Sequence, residues 1–287
     1  MTDPFPNNAP LCLAVLGAGG VGTHIAALGV GHGMTVVVVA EPAAQESTAV
    51  RVWQRLGQLR SRGMVPAEEG SSGALLVRSG LSAFPVDAVF EAVSERAVLK
   101  AKALTEVVRD LEPGTPLISC SSGIPVDELA DWAGRPQDVV GVLLGDADLP
   151  SAPIEVARGR HTTDETFTRA RAVLTGLGFE PVDVLDGPGR VAARVLYPML
   201  NAAARLAGEN AASVGDIDRL LSWCFGPLAG PLRCVDRIGI DTLVEALEQI
   251  HARTGDPSCL PCDTLQRKLA AGELGVKSGR GFYEYED

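Results

Sequence analysis

Residues 11–31 constrain this chain more than any other stretch. Residues 11–16 (LCLAVL) form a short continuous apolar run, of the kind that makes a strand buried on both faces of a parallel sheet. GAGGVG follows at once at 17–22, and residues 24–31 continue as a helix of small residues. The GxGxxG spacing gives each glycine a physical task. Gly17 permits a tight turn, Gly19 lets the backbone approach a pyrophosphate, and Gly22 lets the helix pack closely on the strand. The helix N-terminus adds free N–H groups and the positive end of its dipole. Alone the motif is weak; between an apolar strand and a helix it reads as a dinucleotide-binding fingerprint.

Residues 35–40 (TVVVVA) are β-branched and read as a second strand. Folds of this kind place an acidic residue at the end of that strand to bind the adenosine ribose. Ala40 stands there and Glu41 follows, so Glu41 is the natural substitute. A carboxylate repels a 2′-phosphate, which favours NAD over NADP. The alternative is a solvated Glu41 with the ribose held otherwise.

Residues 46–62 suggest a helix whose charged face carries Arg51, Arg55, Arg60 and Arg62. Residues 88–93 read as a strand before a helical pattern over 97–111, and 116–120 and 139–144 are further strand candidates. This alternation predicts an α/β, Rossmann-like, doubly wound parallel sheet with its ligand crevice at the carboxyl ends of the strands. Near 186–189 (DGPG) the character changes, and 190–272 carries helical spacing with glycine and proline breaks. The expected organisation is a dinucleotide-binding domain over 1–186 and an all-α domain over 187–287.

The formal net charge of −11 argues against a nucleic-acid partner, which needs clustered Lys and Arg to neutralise phosphates. Neither a charged leader before an apolar core nor a membrane-length apolar run stands out, so the chain reads as cytoplasmic. Its six cysteines are scattered through a chain large enough to need no disulfide staples. Cys259 and Cys262 form a CxxC with only His251 nearby in sequence, short of the about four ligands of a structural zinc site, so no metal is expected.

The chain resembles the L-3-hydroxyacyl-CoA dehydrogenase family over nearly its whole length. The matching pieces include the turn at 17–22, FEAVSERAVLK at 90–100, SCSSGIPVDELA at 119–130 and IEVARG at 154–159. DGPGRVAARVLYPMLNAAARL at 186–206, GDIDRLL at 215–221, FGPLAGP at 225–231 and LGVKSGRGFYEY at 274–285 continue it. The resemblance implies a bilobed NAD-dependent enzyme whose helical domain forms a homodimer and closes the substrate cleft. By position Glu95 and Lys100 match the family's cofactor-contacting pair. Ser122 matches the serine that contacts nicotinamide and substrate, and Glu155 the carboxylate that orients the catalytic histidine.

That histidine is missing. A gap-free alignment from Ser122 to Glu155 puts Leu143 at its position, and Ala193 stands where the family carries a second polar active-site residue, an asparagine. His24, His32, His161 and His251 all fall outside the segment from Ser122 to Glu155. Losing a general base typically costs about 10² to 10⁴ in rate. Candidates for the proton are Glu155, which could equally bond backbone or water, and Asp146, Asp148, Cys120 and Tyr197; Asp146 is the best placed of these four, although a turn with Gly145 is its more ordinary reading. Cys120 replaces an asparagine at the cofactor edge, and Tyr197 lies one helical turn beyond Ala193. Cys120 reads as small packing and Tyr197 as a core aromatic. The arginines of 46–62 suit a phosphate or an acidic carrier-protein surface as well as they suit solvent. Arg190 and Arg194, at the domain junction, suit a carboxylate. Two function classes remain in view. One is an atypical NAD-dependent oxidoreductase acting on a hydroxy, keto or imine small molecule or an acyl thioester. The other is a non-redox enzyme or binding protein that keeps the fold.

Overall fold

A computed structural model of the chain describes residues 10–66, 72–81, 84–144, 152–225 and 230–285. They divide into two compact units, 1–187 and 188–287.

The first unit is built on one eight-stranded sheet. Its strands are β1 (Cys12–Leu16), β2 (Thr35–Val39), β3 (Leu75–Arg78), β4 (Ala88–Glu91), β5 (Leu117–Ser119), β6 (Val139–Leu143), β7 (Pro153–Arg158) and β8 (Glu180–Val184), in the spatial order β3-β2-β1-β4-β5-β6-β7-β8. The order reverses between β1 and β4, which makes the carboxyl ends of those two strands the switch point of a doubly wound sheet. From β3 to β6 all neighbours are parallel, whereas β7 meets β6 antiparallel and carries β8 parallel to itself. The sheet is therefore mostly parallel, with a reversed edge that the run-and-break pattern of the sequence does not reveal.

Period-two alternation sends successive side chains to opposite faces. Leu13, Val15, Val36, Val38, Phe90 and Ile118 pack on one face, with α1 (Gly20–Gly31), α2 (Gln45–Ser61) and α5 (Asp164–Gly176). Ala14, Leu16, Val37, Val89, Leu117 and Ala157 pack on the other, with α3 (Ala97–Val107) and α4 (Val126–Ala133). Burial on both faces explains why β1 and β2 are unbroken apolar runs rather than alternating ones. Asp186 Oδ2 accepts from the Val126 N–H at 2.8 Å, so the last residues of this unit cap α4.

The second unit is all-α among its described residues. It comprises α6 (Ala192–Gly208), α7 (Val214–Phe225), α8 (Pro231–Ile238), α9 (Ile240–Thr254) and α10 (Asp263–Ala270). Asn201, buried on α6, donates to the carbonyls of Ser258 and Leu260 and accepts from the Cys262 N–H at 2.9 Å, fixing the segment that carries the CxxC. Both thiols are buried, and Cys262 is the N-cap of α10. Among the described residues, no helix is long and apolar enough to cross a membrane.

Candidate active site

The turn between β1 and α1 is shaped by glycine at the three motif positions, for three different reasons. Gly17 has φ +101°, and a Cβ there would lie 2.6 Å from the Ala92 carbonyl oxygen. A Cβ at Gly22 would lie 2.0 Å from the carbonyl oxygen of Gly17, so only glycine lets the helix start so close to the strand end. Gly19 is the opposite case: it is exposed, and a Cβ there would meet nothing within 4 Å. The space a side chain would take lies open above the backbone. Gly19 is also the N-cap of α1, with no side chain to bond the first-turn N–H groups. This open cradle at a helix N-terminus fits a pyrophosphate. Glu41 is exposed just beyond β2, while Ala40 is buried and donates its N–H to the Arg78 carbonyl.

At the carboxyl ends of β4 and β5 the structure gathers a polar cluster. Glu91 and Ser119, the last residues of their strands, stand level in the parallel register. Lys100 shares the buried face of α3 with Leu104 and Val107, and is 1% exposed. Its ammonium donates to Glu91 Oε1 and Oε2 at 2.9 and 3.0 Å and to the Val93 carbonyl at 3.2 Å, and lies 3.4 Å from Glu95 Oε2. Burial pulls the Lys100 pKa down, but the Glu91 and Glu95 carboxylates outweigh it and hold the value above the ordinary lysine range. Glu91 Oε1 also accepts from the Val93 N–H at 2.9 Å, and Oε2 from the Ser119 hydroxyl at 2.6 Å. Glu95 Oε1 accepts from the Ser121 hydroxyl and from the Gly123 N–H at 2.7 Å, on either side of Ser122.

Three of the proposed cofactor residues, Glu95, Lys100 and Ser122, are thus brought together, each buried. Sequence reasoning missed Glu91, Ser119 and Ser121. A signal was present: FE at 90–91 and ISC at 118–120 end apolar strand runs on a polar residue, at the edge where such sheets bind ligands.

The second grouping lies at the β6–β7 pair. Leu143, the last residue of β6, faces Glu155 directly in the antiparallel register. Leu143 is 7% exposed and Glu155 half-buried. Alternation along the strands puts both on the sheet face that Glu91 and Ser119 occupy. Asp146 and Asp148 lie outside the described residues. Cys120 follows β5, its N–H bonded to the Glu91 carbonyl at 2.8 Å.

Other candidates lie on other elements. Ala193 and Tyr197 are buried on α6 of the second unit, which also holds the buried Arg190. On α2, Arg55 donates to His24 Nδ1 at 3.0 Å, Arg51 donates to Thr48 at 3.2 Å, and Arg60 bonds Ser72. Those three guanidiniums are engaged within the chain. Among the described residues, no group of three or more His, Cys, Asp or Glu side chains is placed to hold a metal ion.

Comparison with known proteins agrees with this geometry. Residues 12–187 match the model of the 3-hydroxyacyl-CoA dehydrogenase NAD binding domain, and residues 189–285 that of the C-terminal domain of the same family. A probable 3-hydroxybutyryl-CoA dehydrogenase of Bacillus subtilis is 34% identical over 281 residues, covering 96% of this chain and 97% of the relative. Among solved structures, M. tuberculosis FadB2 superposes with a TM-score of 0.83 at 30% identity, covering 97% of this chain and 100% of that one. The (S)-3-hydroxybutyryl-CoA dehydrogenase PaaH1 of Ralstonia eutropha gives 0.77 at 30% identity, with the same coverage. A glycine cradle at the switch point, a helical second unit and continuous similarity across both together place the chain in the 3-hydroxyacyl-CoA dehydrogenase family, as an NAD-dependent dehydrogenase.

Proposed function

We propose that the chain is an atypical member of its family, oxidising or reducing a hydroxy, keto or imine group on an acyl thioester or related small molecule, with Glu155 exchanging the proton. One observation carries this reading: in the β6–β7 pair the side chain opposite Glu155 is Leu143, which has no proton to exchange. The relatives named above as 3-hydroxybutyryl-CoA dehydrogenases support an acyl thioester as the substrate class.

Gly17, Gly19 and Gly22 would hold the pyrophosphate and Glu41 the adenosine ribose, leaving the nicotinamide end to the carboxyl ends of β4 and β5. Bound NAD supplies a two-electron hydride acceptor and donor. Ser122 orients the reacting oxygen or nitrogen of the substrate. Glu155 takes its proton in oxidation and returns it in reduction, while Leu143 keeps water from the carboxylate. Asp146 is the second candidate for that proton. Dimerisation belongs to the helical unit in this reading; Leu220 and Trp223 on α7, 61% and 86% exposed, support an apolar contact there. Light scattering should give twice the chain mass.

The test is stopped-flow absorbance at the reduced nicotinamide band, with hydroxyacyl thioesters, hydroxy acids and imines. Turnover with one class is expected, and Glu155→Gln should lower kcat about 10² to 10⁴-fold, the usual worth of a general base, with NAD affinity unchanged. An unaltered kcat in that variant together with a fall in Asp146→Asn moves the proton to Asp146. Calorimetric NAD binding without turnover on any class sinks the redox reading in favour of a binding protein.

A further inference from the structure

We propose that Glu91 is a positioning residue for the nicotinamide end of the cofactor, acting through Lys100 and Glu95 on the segment that carries Ser122. The proposal rests on placing that end at the carboxyl edge of β4 and β5. The glycine turn after β1 and the carboxylate after β2 take the pyrophosphate and adenosine, and the other side of a switch-point crevice remains.

An ammonium has three N–H donors, and those of Lys100 face Glu91, the Val93 carbonyl and Glu95 Oε2. While those contacts hold, Lys100 has no donor to spare for an incoming group. Its effect on a cofactor is exerted through the side chains it holds.

Those side chains form a closed circuit. The Ser119 hydroxyl donates to Glu91, Glu91 accepts from Lys100, and Lys100 pairs with Glu95. Glu95 accepts from the Ser121 hydroxyl, and the Ser121 N–H donates back to Ser119 Oγ at 3.3 Å. The Ile124 N–H donates to Ser121 Oγ at 3.0 Å, extending the hold past Gly123. Ser122 is carried inside this circuit, with both of its neighbours bonded to one oxygen of Glu95. Glu91 is the keystone: its two oxygens accept from Ser119, Val93 and Lys100, joining β4, β5 and α3 at one point.

Stability alone does not account for such a cluster. Replacing a buried ion pair by apolar residues of similar volume is often neutral or stabilising, because desolvation offsets the Coulombic gain. What apolar residues cannot supply is a fixed direction for the Glu95 carboxylate and the backbone it holds.

Calorimetric titration of Glu91→Gln with NAD and, separately, with ADP-ribose tests this without any turnover. ADP-ribose keeps the adenosine and pyrophosphate and lacks the nicotinamide. NAD binding should weaken about 10- to 100-fold, the range a hydrogen bond to a charged group commands, while ADP-ribose binding stays at the unaltered chain's value. Unchanged NAD binding overturns the proposal, and so does an equal loss for both ligands, which would mark general damage to the fold. If Glu91→Gln does not fold, the double apolar variant Glu91→Met with Lys100→Met is titrated with the same two ligands: a selective loss of NAD binding is expected, and either no loss or an equal loss overturns the proposal. Neither readout involves Glu155, so its proton role can fail while this proposal stands, and the reverse.

Discussion

Glu91 and Glu95 in the sheet unit and Asp218 and Asp236 in the helical unit are both pairs of buried carboxylates that accept from backbone N–H groups and hydroxyls, yet only the glutamates share a cation. The glutamates share a buried ammonium and two serine hydroxyls. The aspartates rely on backbone N–H groups and phenols. Asp218 accepts from the Leu232 and Arg233 N–H groups and from the Tyr283 hydroxyl at 2.8 Å. Asp236 accepts from the Phe282 and Tyr283 N–H groups and from the Tyr285 hydroxyl at 3.0 Å. Arg233 stacks 4.0 Å over the Tyr283 ring rather than pairing with either acid. Backbone donors come from wherever the chain passes: Asp218 ties the start of α8 to α7, and Asp236 ties residues 282–283 to α8, with the Tyr283 and Tyr285 hydroxyls adding to both holds. A lysine side chain reaches between elements, so the glutamates and Lys100 join the segments that follow β4 and β5 to α3. One cluster closes the fold; the other, in the proposed reading, shapes a site.

Lys100→Met should expose that difference most strongly. It leaves two buried carboxylates without their cation, for a loss of about 3–5 kcal/mol in denaturant unfolding; a loss under about 1 kcal/mol would mean that the two clusters are held alike. Asp236→Ala comes next. It orphans two N–H groups and a phenol, and a fall of about 2–4 kcal/mol is expected, with NAD affinity retained because the damage stays in the helical unit. Loss of NAD binding at full stability would break the division of labour.

The smallest effect lies in alkali. Burial, then the hydrogen bond to Asp218 and its charge, push the Tyr283 phenol up to about 12, and burial with Asp236 raises Tyr285 likewise. A raised folded-state value means that the contribution is whole below the unfolded phenol's pKa of about 10. It is then lost as pH climbs through about 12. Tyr283→Phe should cost about 1 kcal/mol at neutral pH and flatten this alkaline loss, read by thermal melts against pH. An unchanged alkaline slope would mean that the loss does not come from Tyr283.

What could be read from the sequence follows from how local each constraint is. The β1 run, the glycine turn and the helix after it are dictated within about a dozen residues, and the parallel α/β class follows from their repetition. Three strands escaped. β3 is a short edge strand, β7 runs against its neighbour, and β8 carries Pro181, which demotes a strand by pattern although an outer edge tolerates it. The circuit around Ser122 escaped for a different reason. The resemblance marks Lys100, but nothing local says that it points with Leu104 and Val107 into the core. Burial of a charge depends on partners that arrive from residues 91 and 119, which only the folded sheet brings together.

The reversal at β6–β7 has a consequence for how this chain can change over generations. Residues 143 and 155 face each other across that antiparallel pair, on strands that do not adjoin β1, which the glycine turn follows. In the proposed reading, a substitution at either position would alter what is offered to a substrate without touching the glycine turn that would hold the dinucleotide. In that reading, selection can rewrite the reaction one codon at a time on an inherited cofactor platform.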